Sequence, residues 1–366
     1  CWIYDDNSIT IEGNTELAFS EDVARRFAGL GWRTVTIDDA NDVSAMVAAL
    51  EEFQTTEDQP TLIILRSIIG YGSPNKANTH GAHGAPLGEE EVRLTKAVYG
   101  WPEDQHFLVP PGVIENLAEG IGQRGRDAFA QWSTAFEQYS KEYAQEAAEL
   151  KTIWSGGLPE GWGQGIPEFD PDAKGLATRV TSGKVLNQLA SHLPWLIGGS
   201  ADLAPSNMTH LAGDADGHFG AANYAGRNMH FGIREHAMAA ICNGLALSGL
   251  RPYCGTFFVF TDYMRPAMRL SALMGQNVIY VLTHDSIGLG EDGPTHQPVE
   301  QLAACRAIPR LLVFRPGDAN EVSECYRTAL STPDQPAAIV LTRQAVPTLD
   351  RKTYASAAHV ARGGYT

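Results

Sequence analysis

Hydrophobic and polar positions follow two recurrent patterns along this chain. Apolar residues recur at helical spacing in 20–30 and 42–53, and runs of strand length rich in β-branched or apolar residues occupy 33–37 and 60–65. Strands that alternate with amphipathic helices are typical of βαβ units, so this part predicts a parallel sheet. The same alternation returns later, with strands predicted at 195–199, 252–260, 277–282, 311–314 and 337–341. The predicted fold class is therefore α/β, with mainly parallel sheets.

Two segments of different composition separate the alternating parts. Residues 113–154 are dominated by Ala, Glu, Gln, Lys and Leu, which predicts a helical connector, and 155–171 is rich in Gly and Pro, which predicts a linker. We therefore predict a first domain over 1–110, a connector and linker over 111–172, a second domain over 173–345 and a further lead over 346–366.

The overall charge narrows the range of partners. The chain has 366 residues, a formal net charge of −16 and a sequence pI near 5.1, whereas nucleic acids and anionic membranes attract basic surfaces. No apolar run reaches the roughly 20 residues of a membrane span. The five cysteines are scattered singly, without the spacing of a zinc site or a disulfide framework. We expect a cytoplasmic protein that binds neither nucleic acid nor membranes.

A carboxyl group and an aromatic run form the first candidate for chemistry. Glu235 opens a segment that soon becomes apolar, and Phe257, Phe260 and Tyr263 follow it closely enough to wall a flat ring. A carboxyl group at the edge of an apolar helix loses hydration, which favours a proton on it near neutral pH, as an acid/base catalyst requires. From these residues alone, the alternative is that Glu235 caps a helix and the aromatic residues are core.

A glycine-rich loop over 70–87 is the second candidate. It follows the predicted strand 60–65 and carries His80 and His83. Ligands of open α/β sheets bind beyond the carboxyl ends of the strands, glycine lets the backbone approach a ligand, and imidazole can donate to phosphate oxygens. An exposed loop with incidental histidines is the alternative interpretation of this loop by itself.

The order and spacing of Asp202, Glu235, the aromatic run, His284 and the loop with Asp292 and His296 closely resemble those of transketolases, a family of thiamine-diphosphate enzymes. The similar segments are 4–13, 72–87, 198–207, 232–238 and 288–298. The resemblance implies two thiamine-diphosphate-binding-type, three-layer α/β domains: the latter part of the diphosphate-binding domain in 1–110 and the pyrimidine-binding domain in 173–345, with 346–366 leading into a third domain.

The start of the chain agrees with an internal segment of such a protein. Residues 1–4 are apolar and predict a buried strand already under way, and a strand of a parallel sheet needs neighbours. We therefore expect an internal fragment whose first domain is incomplete at its N-terminus.

The resemblance implies a transferase that moves a two-carbon ketol group reversibly from a ketose phosphate to an aldose phosphate, through a carbanion/enamine of thiamine diphosphate. This is the transketolase reaction of the pentose phosphate pathway and the Calvin cycle. The resemblance also implies a homodimer with active sites at the subunit interface. Asn7, Ile9 and His83 are then expected far from Glu235 and Phe260 within one chain, and close to them across the dimer.

The family's cofactor residues map onto particular positions. Glu235 resembles the carboxyl group that shares a proton with the pyrimidine nitrogen N1′, and the aromatic residues at 257, 260 and 263 resemble those that hold the pyrimidine ring. Asn7 and the carbonyl group of Ile9 resemble two ligands of Mg²⁺, or of Ca²⁺ or Mn²⁺ in its place, and the third ligand would precede residue 1. His83 would contact the diphosphate and the substrate, with His80 assisting. Phe258 is left in the core.

The family's substrate residues also have counterparts here. Arg179, Ser206, His284 and Arg343 resemble a clamp for the sugar phosphate. Asp202 and Asp292 resemble groups that face substrate hydroxyls, and His296 resembles a histidine that contacts the substrate and moves a proton. Without the resemblance, the two arginines would be interpreted as surface charges and 293–296 as a turn.

Two alternative functions remain open. A dihydroxyacetone synthase-like enzyme would share these motifs, and its acceptor would be formaldehyde in place of an aldose phosphate. A non-catalytic or split subunit that needs a complementary chain would keep the site residues without activity of its own. A metal hydrolase built on His80 and His83 has little support, because no acidic ligand lies at helical spacing from them.

Overall fold

The computed structural model describes residues 1–213 and 217–365. It divides into two compact units, Cys1–Asp127 and the part of the chain from Ala128 onwards. Each unit contains a parallel sheet with helices in the connections. The predicted α/β class with mainly parallel sheets is confirmed. The domain boundaries given above stay predictions.

The first unit is built on three parallel strands in the order β1-β3-β2. Its elements are β1 (Trp2–Asp6), α1 (Val23–Gly29), β2 (Arg33–Ile37), α2 (Val43–Gln54), β3 (Thr61–Arg66), α3 (Glu89–Val98) and α4 (Val113–Leu117). Asp22 and Asp42 begin α1 and α2 by accepting backbone N–H groups at Arg25 and Ala45, which satisfies donors that a helix start leaves free.

Strand β1 differs from its prediction as a buried strand. Trp2 is 60% exposed and Ile3 is 53% exposed. Within the described residues β1 pairs with β3 alone and is therefore an edge strand, although the Trp2 ring contacts those of Phe27 and Trp32. An edge strand is covered on fewer sides than a central one, so these apolar residues stay partly exposed.

The predicted helical connector is helical in the structure. After α4, a single π-helical turn spans Ala118–Gly122, and α5 (Gln123–Glu142) and α6 (Ala144–Trp154) follow. The turn overlaps residues 120–125, which contain three glycines, and π-helical turns occur mostly as single turns within helices. Helix α5 contains the division between the two units.

The second unit is built on six parallel strands in the order β6-β5-β7-β8-β10-β9. Its strands are β4 (Asp172–Ala177), β5 (Leu196–Ser200), β6 (Asn228–His230), β7 (Arg251–Phe257), β8 (Ile279–Thr283), β9 (Leu312–Phe314), β10 (Ala337–Leu341) and β11 (Ala345–Thr348). Strands β4 and β11 form a separate antiparallel pair. The sequence has helical spacing of apolar residues over 176–193, but the helix begins only at Thr178, because pairing with β11 keeps 172–177 extended.

Helices cover both faces of the six-stranded sheet. They are α7 (Thr178–His192), α8 (Ala204–Asn207), α9 (Glu235–Leu247), α10 (Thr261–Leu273), α11 (Gln301–Arg306) and α12 (Ala319–Leu330). Along β8, Tyr280 and Leu282 join an apolar cluster with α9 and α10, while Ile279 and Val281 join a cluster with α7 and α12. Because side chains alternate between faces of a strand, burial on both faces yields a continuous apolar run. This unit has three layers.

The helices give no indication of a membrane span. Over 1–213 and 217–365, none is both long and apolar enough to cross a bilayer.

Candidate active site

The predicted site residues of the second unit follow the carboxyl ends of its parallel strands. The strand and the residues after it are β5 with Asp202 and Ser206, β6 with Glu235, β7 with Phe257 and Phe260, β8 with His284, and β10 with Arg343. Because parallel strands end at one edge of a sheet, these residues share that edge. The chain passes from β5 outward to β6 and then back across to β7, which makes a crevice where ligands of such sheets bind.

Aromatic rings cluster where β7 ends. The ring of Phe257 lies 3.9 Å from that of His284 and 6.0 Å from that of Phe260, centroid to centroid. The ring of His296 meets Phe260 edge-on at 5.4 Å, and Tyr263 lies 6.1 Å from Phe260. A tight 3-10 turn over Phe258–Phe260 turns Phe258 into the core, where it is 1% exposed. The cluster is flat-sided and partly open, since Tyr263 is 65% exposed.

Glu235 is the first residue of α9 and is buried, with 8% of its surface exposed. No side chain caps this helix, and Arg234 donates to the carbonyl oxygen of Phe231 at 2.9 Å. The capping interpretation therefore has no support from the contacts. Among the residues that the structure describes, the Glu235 carboxyl group has no hydrogen-bond partner. A buried carboxyl group usually has one, so this position can accept or share a proton with a ligand.

Two guanidinium groups face the same edge. The Arg179 Nη1 atom donates to the carbonyl oxygen of Ser206 at 2.6 Å, and its Nε atom is buried without a partner. Burial lowers the pKa of Arg179, and the charge of Arg343 lowers it further. In the described ranges neither arginine forms an ion pair with a carboxylate. Two neighbouring cations without an acidic partner are suited to an anion.

The glycine-rich loop that follows β8 lies beside Arg343. A Cβ atom added at Gly290 would lie 3.4 Å from the Arg343 Nη1 atom, so the loop passes close to this guanidinium group. Asp292 is exposed and His296 is half-buried in this loop. The Nδ1 atom of His296 lies 2.9 Å from the Thr295 hydroxyl oxygen.

His284 is the most enclosed residue of this site, with 3% of its surface exposed. Its backbone has φ +66°, and that of Asp202 has φ +60°, a left-handed conformation that costs residues other than glycine about 1 kcal/mol or more. Burial lowers the pKa of His284 to about 4, the charges of Arg179, Arg343 and His296 lower it, and that of Asp292 raises it. The imidazole is therefore neutral at pH 7.

The predicted residues of the first unit lie in two loops. The Asn7 Oδ1 atom accepts the Ile9 N–H at 3.0 Å in a tight turn directly after β1. His83 is exposed and follows a 3-10 turn that begins at His80. In 1–213 and 217–365 no group of three or more His, Cys, Asp or Glu residues is placed to hold a metal ion, and the predicted donors here are an amide and a carbonyl.

The glycine-rich loop over 70–87 is anchored by Glu91, a residue that the sequence gives no reason to single out. Glu91, on α3, accepts hydrogen bonds from the Ser73 hydroxyl, from the Asn75 backbone at 2.8 Å and from the Asn75 Nδ2 atom at 2.9 Å. These bonds lower the pKa of Glu91 to about 2. In the sequence Glu91 is one of three consecutive glutamates, so nothing separates it from solvated neighbours.

Two protein-family models match this chain, one in each half. The family model "Transketolase, thiamine diphosphate binding domain" matches residues 1–159, and "Transketolase, pyrimidine binding domain" matches 174–348. The two matches define a protein assembled from a thiamine-diphosphate-binding and a pyrimidine-binding α/β domain. The chain belongs to the transketolase family.

Individual relatives agree with the family models. The chain is 46% identical to the transketolase of Bacillus subtilis over 99% of its own length and 54% of the relative's. It is 50% identical to the chloroplastic transketolase-1 of Arabidopsis thaliana, covering 99% of this chain and 48% of the relative. The crystal structure of a Pichia stipitis transketolase complexed with sedoheptulose 7-phosphate superposes with a TM-score of 0.93 at 41% identity, covering 99% of this chain and 54% of that one. The chain thus spans about half the length of these relatives.

Proposed function

We propose that this chain carries site residues of a transketolase, which transfers a two-carbon ketol group between sugar phosphates with thiamine diphosphate as cofactor. The observation that carries the proposal is the shared strand edge. A buried carboxyl group and an aromatic cluster lie there, with Arg343 after β10 and Arg179 at the start of α7 beside it. Among the described residues the carboxyl group has no hydrogen-bond partner and neither guanidinium group has a carboxylate partner. The chain belongs to the transketolase family, and the similar Pichia stipitis transketolase binds a sugar phosphate in its crystal structure. Both findings support this reaction over other reactions that occur on the same fold.

The carboxyl group and the rings fit the pyrimidine end of the cofactor. When bound, thiamine diphosphate supplies a nucleophilic thiazolium carbon. Glu235 would hold a proton toward the pyrimidine nitrogen, since it is buried and has no partner among the described residues. Phe257, Phe260 and Tyr263 would stack against the ring and exclude water from it.

The two neighbouring guanidinium groups fit the phosphate group of a sugar phosphate. Arg179 and Arg343 would bind it by charge-assisted hydrogen bonds, with Ser206 and His284 as further donors. Asp202 and Asp292 are exposed carboxylates at the same edge and would accept from sugar hydroxyls. His296 would contact the substrate and move a proton at the reacting hydroxyl, a task suited to imidazole near neutral pH.

The first unit fits the diphosphate end. The Asn7 Oδ1 atom has a second lone pair beyond the one facing the Ile9 N–H, and the Ile9 carbonyl group is a second hard oxygen donor. Both would bind Mg²⁺, or Ca²⁺ or Mn²⁺. His83, with His80 beside it, would contact the diphosphate, and His83 would also contact the substrate.

We also propose a homodimer in a reducing cytoplasm, with the active site at the subunit interface. Asn7, Ile9 and His83 of one subunit would then meet Glu235 and Phe260 of the other. The five cysteines are free thiols, which suits that compartment. The proposed domain limits are 1–110 and 173–345, joined by 111–172 and followed by 346–366.

Calorimetric titration of thiamine diphosphate with Mg²⁺ into the purified chain tests the proposal. Glu235→Gln keeps the size of the side chain and removes the carboxyl group. It should weaken binding about 10- to 100-fold, the value of a hydrogen bond to a charged group. The control Glu300→Gln changes an exposed glutamate of the same unit and should bind as the unaltered chain does.

Two results would contradict the proposal. One is equal affinity of the unaltered chain and Glu235→Gln. The other is no heat of binding from a chain that circular dichroism shows to be folded.

A further inference from the structure

A buried row of hydrogen bonds leads to His284. The Ser200 hydroxyl donates to the Asn207 Oδ1 atom at 3.1 Å, and the Asn207 Nδ2 atom donates to the Thr283 hydroxyl oxygen at 2.6 Å. The Thr283 hydroxyl oxygen lies 2.9 Å from the His284 Nδ1 atom. All four residues are at most 4% exposed. Water therefore does not compete for these bonds.

The direction of the row is set at its far end. The Ser200 oxygen accepts the backbone N–H of Leu203 at 2.8 Å, and its own buried hydrogen has the Asn207 Oδ1 atom as its one acceptor within reach among the described residues. The Asn207 amide then presents its NH₂ group to Thr283. The Thr283 hydroxyl hydrogen is buried, and among the described residues the His284 Nδ1 atom is its one acceptor within reach, so it points to that atom. That nitrogen must accept, so the hydrogen of the neutral ring lies on Nε2.

We propose that Ser200, Asn207 and Thr283 are positioning residues that hold His284 as the Nε2–H tautomer, so that it acts as a neutral hydrogen-bond donor to the substrate phosphate. The role toward phosphate rests on the proposed function, whereas the tautomer does not. The tautomer decides the sign of the interaction. An Nε2–H group attracts a phosphate oxygen, while the other tautomer would turn a lone pair toward it.

The surroundings of His284 agree with this role. Burial and the charges of Arg179 and Arg343 keep the ring neutral, against the opposing charge of Asp292. A neutral ring has one N–H, so its placement has to be specified. The His284 backbone is in the left-handed region, and in this conformation its Nδ1 atom lies 2.9 Å from the Thr283 hydroxyl oxygen.

The row of hydrogen bonds passes over the end of strand β7. Ser200 ends β5 and Thr283 ends β8, and β7 lies between these strands in the sheet. A Cβ atom at Gly255, on β7, would lie 3.4 Å from the Asn207 Oδ1 atom and 2.7 Å from the Thr209 methyl group. Glycine at 255 therefore leaves room for the Thr209 methyl group and for the Asn207 side chain beside β7.

Nuclear magnetic resonance of the chain with ¹⁵N-labelled histidine tests the proposal, because the two ring nitrogens have different shifts in each tautomer. His284→Gln assigns the signal. We expect Nε2–H for His284 at pH 7. His192 is an internal reference in the same spectrum: its Nε2 atom lies 3.1 Å from the Gln188 Nε2 atom, so it should show the opposite tautomer.

Two variants separate positioning from mere packing. Thr283→Val keeps the shape and removes the hydroxyl group, and we expect its His284 signal to show a mixture of tautomers. Thr283→Ser restores the hydroxyl group and should restore Nε2–H. An Nδ1–H signal in the unaltered chain would overturn the proposal, and so would an unchanged Nε2–H signal in a folded Thr283→Val chain.

Titration with inorganic phosphate separates this inference from the proposed function. We expect phosphate to shift the His284 signal and to bind roughly tenfold more weakly to Thr283→Val, the effect of one hydrogen bond to a charged group. If phosphate leaves the signal of an Nε2–H ring unchanged, the proposed phosphate clamp fails, while the assignment of the positioning residues holds.

Discussion

Acidification should destabilise the second unit through His284. The ring is buried, and burial with the neighbouring charges lowers its pKa from 6.5 to about 4. Between these values the unfolded chain binds a proton that the folded chain does not. The free energy of unfolding therefore falls as the pH falls through this window, and the contribution is complete above pH 6.5.

The size of the effect follows from the two pKa values. One pH unit within the window corresponds to about 1.4 kcal/mol. Allowing for partial protonation at the upper end, the loss between pH 7 and pH 5 is about 2 kcal/mol. Because the side chain is almost fully enclosed, with 3% exposed, solvent screening reduces this value little.

Urea denaturation at pH 7 and pH 5 measures the effect, with tryptophan fluorescence as the signal. The unaltered chain should lose about 2 kcal/mol more than His284→Gln over this interval, since the other titrating groups are common to both. His210→Gln removes an exposed histidine of the same unit and should follow the unaltered chain. Equal losses in the unaltered chain and His284→Gln would refute the reasoning.

Two further predictions concern buried carboxylates, one within each unit. Asp318 is fully buried and accepts a hydrogen bond from Arg351 at 2.6 Å, so Asp318→Ala should lower the free energy of unfolding in urea by about 3–5 kcal/mol. Asp334→Ala, at an exposed ion pair with Arg310, should lower it by less than about 1 kcal/mol, and similar losses in both variants would contradict this. Glu91→Gln should speed proteolysis of the loop over 70–87 because Ser73 loses its charged acceptor, whereas Glu90→Gln should not, and equal cleavage rates would show that Glu91 does not anchor the loop.

The periodicity of the sequence was enough to predict most of the sheet that carries the site. In that sheet β10 matches its predicted bounds of 337–341, and in the first unit β2 matches its predicted bounds of 33–37. Strand β6 was not predicted, because three residues are too few to show a period. The sequence predicts a strand over 252–260, whereas Phe258–Phe260 form a 3-10 turn, because aromatic residues are also typical of strands.

For the candidate site too, the sequence predicts some features and not others. Glu235, His284 and Arg343 could be named because each lies where a predicted strand or helix meets a loop and because their order resembles that of a family. Their surroundings could not be named. Whether Glu235 has a partner, and whether Arg179 has one, depends on which side chains packing brings near.

The sequence by itself therefore determined the α/β class, the family and the strand ends at which the chemistry is expected, because these depend on local spacing. Only the tertiary structure decided the direction of the hydrogen bonds that reach His284. Asn207 and Thr283 are 76 positions apart in the chain, and they meet because β5 and β8 end at the same edge of one sheet. Such a long-range contact produces no periodic pattern in the sequence, because it arises from the order of the strands in the sheet.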